Sequence, residues 1–543
     1  MSKIIPIQIF DTTLRDGQQC PGAGMSRDNN IIYAEMAANL GVDILEAGFP
    51  SASKLDFDIV FDIATMLPEK GFKTKIAALT QLRAELIDKT IEALIPATKH
   101  NLGRVHIYLP VDPKLMEASL GVKAKDKSFL IRELEKEVSK AVKAGLEVEF
   151  SPEGYSRMNE NESFVLDAIK ACVANGATII NCPDTIGGAC WLQQDKHFAY
   201  KMKSQAEIIK KEFPDKNIIW SAHCHNDFGL ALHNSMIAVF EGPARQIEGC
   251  FNGIGERAGN VALEQCIILL KEFGDTIFPD VTFTTNIKTE KLTAISNFVA
   301  KHMLPRQPHQ PVVGDNAAKH SSGGHTNAIL RDPLAYQPFD PEIVGKKVGF
   351  AFGPLSGSNH AKSVIEDAGF SCLDSEKMAV AQFIKNLYKD RRKGISDEEI
   401  IKGYFYYRAP IAIQYYDYAK KRNLAEVTIS GKLFGKEGEF THRLDGNDSG
   451  LAALSALLGT EYQGLSFNHY TSEAAGSGVS AVGISTVTVS DSEGSVYVGK
   501  GEDRDIEISA MKALVDAYNK AYISKEFAKK THYVDKQHVI AGS

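Results

Sequence analysis

The sequence predicts an α/β fold: a (β/α)₈ TIM barrel followed by a mainly helical linker and a small α+β C-terminal regulatory domain. Over the first 278 residues, eight short β-rich segments alternate with helical patterns. Apolar strands that alternate with helices are typical of a parallel sheet covered on both faces. Eight such units in this length favour a closed barrel, whose active site would lie at the carboxyl ends of its strands.

The predicted barrel strands are short runs rich in apolar and β-branched residues. They are residues 4–10, 42–49, 74–79, 104–109, 146–150, 177–182, 218–221 and 246–251. The segments between them have helical periodicity. From Ile131 to Val142, for example, apolar residues recur at helical spacing, and Gly145 provides a stop.

A linker region follows the barrel pattern. Residues 305–316 are too rich in proline for a helix and are predicted to form an extended connector. Residues 377–388 and 398–407 have helical patterns. The second helix is preceded by Ser396, and Glu399 follows three residues later, which is the pattern of a capping box.

The C-terminal region contains two copies of one pattern, in which paired strands precede a helix. Strands are predicted at 427–434, 439–444, 479–489 and 495–498, with helices at 449–458 and 505–522. This repetition indicates a small α+β domain for regulation or dimerisation. The predicted domains are a catalytic barrel at 1–278, helical linker subdomains at 279–425, an allosteric or dimerisation domain at 426–530 and a tail at 531–543.

Composition argues against several classes of protein. The net charge is -7 at pH 7 and no basic stripe is present, so nucleic acid is not an expected partner. The eight cysteines include no C-x-x-C pair, which is typical of reduced thiols in the cytosol. The N-terminus lacks the pattern of a signal peptide, and no apolar run has the length of a membrane span. A cytoplasmic location away from the membrane is expected.

Polar residues of ligand type occur at or just after most predicted strands. They are Arg15, Asp16, Glu46, His106, Ser151, Glu153, Asn181, Thr185, His223, His225 and Asn260. Any one of these residues is commonly a cap or a turn former. Because all of them fall at one rim of the predicted barrel, together they predict a functional site there.

The strongest chemical signal is the pair His223 and His225. Alternate residues of a strand share a face, so both rings can bind one metal ion. With one carboxylate they suit Mn, Mg, Zn or Co and leave positions open, where a 2-keto acid could chelate. Arg15 could hold negative charge on the keto oxygen, or form a salt bridge to Asp16 or Glu46.

Several motifs together resemble one family of metal-dependent Claisen-condensing enzymes, which includes 2-isopropylmalate, homocitrate and citramalate synthases. In the barrel they are Asp11 to Gly17, Glu46 to Pro50, His-Cys-His-Asn-Asp at 223–227 and Asn252 to Asn260. In the linker they are residues 316–325 and 353–362, and residues 426–523 resemble the allosteric domain of the family. The resemblance covers nearly the whole chain.

The resemblance implies roles for individual residues. Asp16, His223 and His225 would bind the metal, together with Asn260. Arg15 would stabilise the keto-acid oxygen, Thr185 would contact the carboxylate, and Glu153 would assist acid-base steps. His325, with Tyr336 nearby, would deprotonate acetyl-CoA in the barrel of a partner subunit. The residues that would complete the keto-acid pocket are Glu46, Leu79, His106, Ser151 and Asn181.

The resemblance also implies a reaction and partners. The acyltransferase would condense acetyl-CoA with a 2-keto acid, with 3-methyl-2-oxobutanoate as the leading choice; this substrate gives 2-isopropylmalate for leucine biosynthesis. A homodimer or higher homo-oligomer is expected, with an amino-acid feedback effector at the C-terminal domain. The alternatives are a citramalate- or homocitrate-type synthase, a hydroxyacyl-CoA lyase and an inactive effector-binding protein.

The chain departs from the family pattern in three places, which keeps the keto acid and the effector open. Ile-Tyr-Leu-Pro-Val-Asp follows His106, and Leu79-Thr80 replaces a more typical pair. Both stretches would line the keto-acid pocket, where one methylene changes discrimination by only about 1–3 kcal/mol. The stretch 445–450 replaces a loop that is richer in glycine and proline and contacts the effector in the family.

Overall fold

The computed structural model describes residues 2–350, 356–389, 394–446, 449–475 and 481–540, with side chains up to residue 525. The chain forms two compact units. The first contains Met1–Lys319 and Gln337–Gly349, and the second contains His320–Tyr336 and Phe350–Ser543. The domain boundaries predicted near 278 and 425 fall inside these units and stay predictions.

A closed barrel of eight parallel strands dominates the first unit and confirms the predicted fold class. In chain order the strands of this unit are β1 Lys3–Pro6, β2 Gln8–Asp11, β3 Ile44–Glu46, β4 Lys75–Gln81, β5 Gly103–Pro110, β6 Glu147–Glu153, β7 Ile179–Asp184, β8 Ile219–Cys224, β9 Ala244–Gly249 and β10 Val281–Thr284. The barrel runs from β2 to β9, and β9 pairs with β2 to close it.

The first predicted strand is divided in the structure. Residues 4–10 were expected to form one barrel strand, but β1 pairs outside the barrel with β10 and only β2 enters it. Pro6 is the last residue of β1 and has no N–H for a ladder hydrogen bond, which suits the end of a strand. The segment therefore contributes to two sheets.

Helices surround the barrel and connect its strands. They are α1 Arg27–Leu40, α2 Lys54–Glu69, α3 Ala84–Thr98, α4 Pro113–Leu120, α5 Lys127–Lys143, α6 Glu162–Ala174, α7 Phe198–Glu212, α8 Ala231–Phe240, α9 Leu263–Phe273 and α10 Leu292–His302. Local sequence explains where α1 begins and ends. Ser26 accepts a hydrogen bond from the Asn29 amide, and Gly41 at φ 100° provides the left-handed C-terminus.

The inside of the barrel contains a buried polar cluster below the site. The Arg104 side chain is fully buried and donates to Glu147 at 2.7 Å and to Glu149 at 3.0 Å. It also donates to Gln246 at 2.8 Å. Buried charges need such partners, because an unpaired charge in the interior is costly. The cluster links β5, β6 and β9 near the amino ends of the strands.

The second unit begins with short helices. The elements from the end of the first unit through this region are β11 Lys319–His320, α11 Gly323–Ile329, β12 Gly349–Phe350, α12 Ser358–Asp367, α13 Lys377–Leu387 and α14 Asp397–Tyr407. The predicted capping box is confirmed, because Ser396 accepts from the Glu399 amide while Glu399 accepts from the Ser396 amide. The linker motif predicted at 353–362 lies partly outside the described residues.

The C-terminal part contains two three-stranded antiparallel sheets, each followed by a helix. The elements are β13 Ile411–Lys421, β14 Leu424–Leu433, β15 Lys436–Asp445, α15 Gly450–Glu461, β16 Leu465–Ala475, β17 Val482–Asp491, β18 Val496–Asp503 and α16 Ile506–Ile540. The predicted repeat is present, but each copy has one strand more than expected. The long helix α16 continues into the segment predicted as a polar tail.

The two missed strands, β13 and β16, are mostly exposed edge strands. In both strands a β-bulge, between Ile413 and Tyr415 in β13 and between Phe467 and His469 in β16, interrupts the alternation of apolar and polar residues that marks a half-buried strand. The central strand β14 has that alternation and was recognised.

No helix in the described part of the chain has the length and apolar character that crossing a membrane requires.

We expect Arg104→Met to lower the free energy of unfolding of the barrel by about 3–5 kcal/mol, because Glu149 would stay buried without its cationic partner. Calorimetry on the full chain would measure the change in the barrel transition. The matched control is Arg27→Met, since Arg27 pairs with Asp62 at the surface and its loss should change little. An equal effect of both substitutions would contradict the role of Arg104.

Candidate active site

A cavity of about 370 Å³ opens at the carboxyl ends of the barrel strands. Its wall contains most of the residues that the sequence predicted for the site. These are Arg15, Asp16, Leu79, His106, Ser151, Glu153, Asn181, Thr185, His223 and His225. Glu46 and Asn260 lie directly behind this wall, where they contact Arg15 and Asp16. The barrel therefore brings twelve of the predicted site residues together in or directly behind the wall of one cavity.

Asp16, His223 and His225 form a buried group with the geometry of a metal site. The Nε2 atoms of His223 and His225 are 3.1 Å apart. Each lies 4.0 Å from Oδ2 of Asp16. Strand β8 causes this arrangement, because His223 lies next to its last residue, Cys224, on the inner face, and His225 follows directly after the strand.

Two members of this group, Asp16 and His225, have charges that suit cation binding, whereas Glu248 raises the pKa of His223 against the effect of its burial. Burial would raise the pKa of Asp16, but Arg15 and then His223 hold it well below its usual value. Burial, with a smaller contribution from His223, lowers the pKa of His225 to about 3. An ionised carboxylate and a neutral imidazole are the forms that bind metal ions.

Asn260 adds a fourth candidate ligand, an amide oxygen, beside this group. Its Nδ2 donates to Oδ1 of Asp16 at 2.7 Å, while its buried Oδ1 has no hydrogen-bond partner. Gly255 leaves room for the side chains of Asn260 and Asp16. A Cβ added to Gly255 would lie 2.1 Å from Nδ2 of Asn260 and 2.7 Å from Oδ1 of Asp16, and its φ of 154° favours glycine. The residues present therefore fit a divalent cation with mixed nitrogen and oxygen ligands.

Arg15 lies among three buried carboxylates. Its Nε donates to Glu46 at 2.6 Å, its Nη1 to Asp16 at 2.7 Å and its Nη2 to Glu248 at 3.2 Å. The salt bridges to Asp16 and Glu46 that the sequence left open are thus both present. The guanidinium still reaches the cavity wall, with a side-chain exposure of 10%. It is held in one orientation at the edge of the metal group.

A chain of hydrogen bonds continues from Glu46 around the cavity. Nδ1 of His106 lies 2.7 Å from Glu46, and its Nε2 lies 2.6 Å from the Ser151 hydroxyl. Asn181 donates to the same hydroxyl at 2.9 Å and to Glu248 at 2.8 Å. Although burial disfavours the charged ring, Glu46 raises the pKa of His106 to about 9. His106 is therefore protonated at neutral pH.

Glu248 is a site residue that the sequence reasoning missed. It lies in β9, is 1% exposed and lines the cavity. A signal was present, because a carboxylate within a predicted barrel strand, here residues 246–251, needs a buried cationic partner. Glu46, His106 and Glu248 lie close enough together to form a second group that could bind a metal ion. The Arg15 guanidinium, however, already contacts both of these carboxylates.

Glu153 and Thr185 also line the cavity, at the carboxyl ends of β6 and β7. Burial raises the pKa of Glu153, with Arg15 acting against this shift. The amide of Gly154 donates to the Thr185 hydroxyl at 2.9 Å, and Arg257 donates to the Thr185 carbonyl at 2.7 Å. Because the Thr185 oxygen accepts from this amide, its own hydrogen is free to donate to a ligand.

His325 and Tyr336 belong to the second unit, whereas the residues above belong to the first. Their rings are stacked, with centroids 3.9 Å apart and planes at 14°. The predicted proximity of these two residues is therefore present. Their predicted action in a partner barrel stays a prediction.

We expect the barrel to lose stability as pH rises through about 9, in part because His106 deprotonates beside Glu46. The pKa of the ring in the folded protein lies above its unfolded value of about 6.5, so its stabilising effect is complete below pH 6.5 and is lost above pH 9. Denaturant titrations from pH 6 to pH 10 would measure this loss. His106→Asn should remove that part of the decline, and identical profiles for both proteins would contradict the assignment.

Comparison with known proteins adds independent information about the three regions of the chain. A family model described as HMGL-like matches residues 6–299, one described as homocitrate synthase post-HMGL domain-like matches residues 312–393, and one described as LeuA allosteric (dimerisation) domain matches residues 402–522. Among solved structures, the HMG-CoA lyase from Brucella melitensis is similar with a TM-score of 0.42 and 15% identity, covering 55% of this chain and 98% of that chain.

Curated relatives match the chain over most of its length. The 2-isopropylmalate synthase of Aquifex aeolicus is 34% identical, covering 96% of this chain and 97% of that protein. The enzyme of the same name from Burkholderia cenocepacia is 35% identical, covering 95% and 97%. The one from Saccharolobus solfataricus is 36% identical, covering 71% and 92%. These matches confirm the resemblance inferred from the motifs: the chain belongs to the 2-isopropylmalate synthase family.

Proposed function

We propose that this protein condenses acetyl-CoA with 3-methyl-2-oxobutanoate to give 2-isopropylmalate and CoA, a step of leucine biosynthesis. The observation that carries the proposal is the group of Asp16, His223 and His225 beside Arg15 in one cavity. A metal ligand set next to a fixed guanidinium suits a substrate whose carbonyl oxygen gains negative charge. The names of the relatives support the choice of reaction.

Asp16, His223, His225 and Asn260 are proposed to hold a divalent ion, either Mn, Mg, Zn or Co. When bound, such an ion supplies a Lewis acid that polarises the keto carbonyl. The unpartnered Oδ1 of Asn260 supports its inclusion. Arg15 is proposed to face the same carbonyl oxygen: three of its five N–H groups donate to carboxylates, and the remaining two are free for a substrate.

Two hydroxyl groups are proposed to orient the keto acid. The Thr185 oxygen accepts from the Gly154 amide, and the Ser151 oxygen accepts from Asn181 and lies 2.6 Å from His106. Each hydroxyl hydrogen is therefore directed elsewhere, and each can donate to a substrate oxygen. Thr185 is assigned to the substrate carboxylate. Leu79, together with His106 and Asn181, is assigned to the side-chain end of the substrate.

Proton transfer is proposed to involve residues of both units. His325, with its ring stacked on Tyr336, takes a proton from the acetyl methyl group, and the resulting carbanion attacks the keto carbon. Burial raises the pKa of Glu153, and this carboxyl group is proposed to assist the proton transfers of these steps. Water then hydrolyses the thioester and releases CoA. We propose that His325 comes from the partner subunit of a homodimer.

Regulation is proposed to reside in the C-terminal domain. The matched family model is described as allosteric and dimerisation, which supports both an oligomer and an amino-acid effector. The altered stretch 445–450 lies partly outside the described residues, so the identity of the effector depends on measurement with leucine, isoleucine and lysine.

A different 2-keto acid is the second candidate, and Tyr108 is the observation that favours it. Tyr108 belongs to the stretch that departs from the family pattern, and it lines the cavity with Leu79 and Phe49. A bulky ring at this wall reduces the space for a branched side chain. A citramalate-type reaction with a smaller keto acid is therefore the main competitor.

A panel of 2-keto acids tests the substrate directly. We expect the Mn²⁺-loaded protein to release free CoA thiol from acetyl-CoA fastest with 3-methyl-2-oxobutanoate, since its branched side chain suits the apolar wall near Leu79. Each assay is repeated with leucine, isoleucine or lysine to detect inhibition. Faster release with pyruvate or 2-oxoglutarate would replace the assigned substrate. Cleavage of a hydroxyacyl-CoA without any condensation would overturn the proposed reaction.

Two histidine substitutions separate metal binding from proton transfer. His325→Ala should keep the bound metal but lower kcat by about 10²–10⁴-fold, the usual contribution of a general base. His223→Ala should lose metal and activity together, because it removes a ligand. Metal content by mass spectrometry and CoA release are the two readouts, with the exposed His100→Ala as control. Normal turnover in His325→Ala would remove it from the mechanism.

A further inference from the structure

We propose that Glu248 is a positioning residue that orients His223, Arg15 and Asn181 at once. The inference rests on the proposed function, in which His223 is a metal ligand and Arg15 faces the keto oxygen. Glu248 would bind neither the metal nor the substrate. Its carboxylate would instead hold the side chains that contact the metal and the substrate. The metal ion and the guanidinium would thereby keep fixed positions relative to each other.

The contacts of Glu248 support this role. Its Oε1 lies 3.3 Å from Nδ1 of His223 and 3.2 Å from Nη2 of Arg15. Its Oε2 accepts from Nδ2 of Asn181 at 2.8 Å. The side chain is almost completely buried, so these neighbours replace the water that a carboxylate would otherwise need. One side chain thus contacts residues of three different segments of the barrel rim.

Strand pairing explains why Glu248 reaches His223 and Arg15. In the parallel ladder between β8 and β9, His223 is the partner of Glu248. On its other side β9 pairs with β2, which leads into the turn that carries Arg15. Gln246 and Glu248 share the inner face of β9, since they are two residues apart. The closure of the barrel therefore places Glu248 between Arg15 and His223.

The contact with His223 determines which ring nitrogen faces the metal. A carboxylate at Nδ1 favours the tautomer with its proton on that atom, which leaves the lone pair on Nε2. Nε2 of His223 is the atom that faces Nε2 of His225 across 3.1 Å. The buried Nδ1 atoms of both histidines lack a hydrogen bond of good geometry, but among the described residues only Nδ1 of His223 has a carboxylate oxygen beside it, Oε1 of Glu248 at 3.3 Å. Glu248 therefore makes His223 the oriented histidine of the pair.

The test measures Mn²⁺ binding to the metal-free full-length protein by titration calorimetry. Glu248→Ala should weaken binding about 10–100-fold, the usual effect of removing the partner of a metal-binding histidine. Glu248→Gln should lose less, because its amide oxygen can still accept from Nδ1. Glu149→Gln is the matched control: Glu149 is equally buried but contacts Arg104 and Gln246. It should bind Mn²⁺ like the wild-type protein.

Two results would overturn the inference. One is a folded Glu248→Ala protein whose Mn²⁺ affinity equals that of the wild type. If that variant does not fold, Glu248→Asp takes its place; it keeps the charge but withdraws the carboxylate by one methylene, and unchanged affinity there would have the same meaning. The other is a loss as large in Glu149→Gln. A wild-type protein that binds no Mn²⁺ would instead refute the metal site of the proposed function.

Discussion

The site depends on one interaction, the sharing of the Arg15 guanidinium by Asp16, Glu46 and Glu248. Three carboxylates in a buried place would repel one another and be costly to desolvate without a cation between them. Because arginine stays charged and presents its donors in a fixed plane, it can satisfy all three at once. The three partners come from different segments, so this interaction also aligns those segments.

The same charge arrangement prepares the residues around it for chemistry. Arg15 is the main influence that keeps Asp16 ionised, while Glu46 keeps His106 protonated. Glu153, whose pKa is raised by burial, lines the same cavity. Groups whose pKa is lowered and groups whose pKa is raised thus lie within one small cavity. This is the arrangement that acid-base chemistry at neutral pH needs. The glycine at 255 leaves room for this packing.

Much of this architecture could be predicted from the sequence, because the barrel has strong local signals. Apolar strands such as β7 and the two histidines at the end of β8 follow simple periodic rules. Glu248 could not be assigned in the same way, since its partners lie far away in the chain and meet it only when β9 closes the barrel on β2. The edge strands β13 and β16 were missed because a β-bulge in each strand interrupts its apolar alternation.

The central claim is that Asp16, His223 and His225 hold a divalent ion beside Arg15. Anomalous diffraction from crystals loaded with Mn²⁺ tests it most directly. The account predicts one strong peak at metal–ligand distance, about 2.0–2.3 Å, from Nε2 of both histidines and from the Asp16 carboxylate. A peak at other residues, or none in this cavity at saturating Mn²⁺, would contradict it.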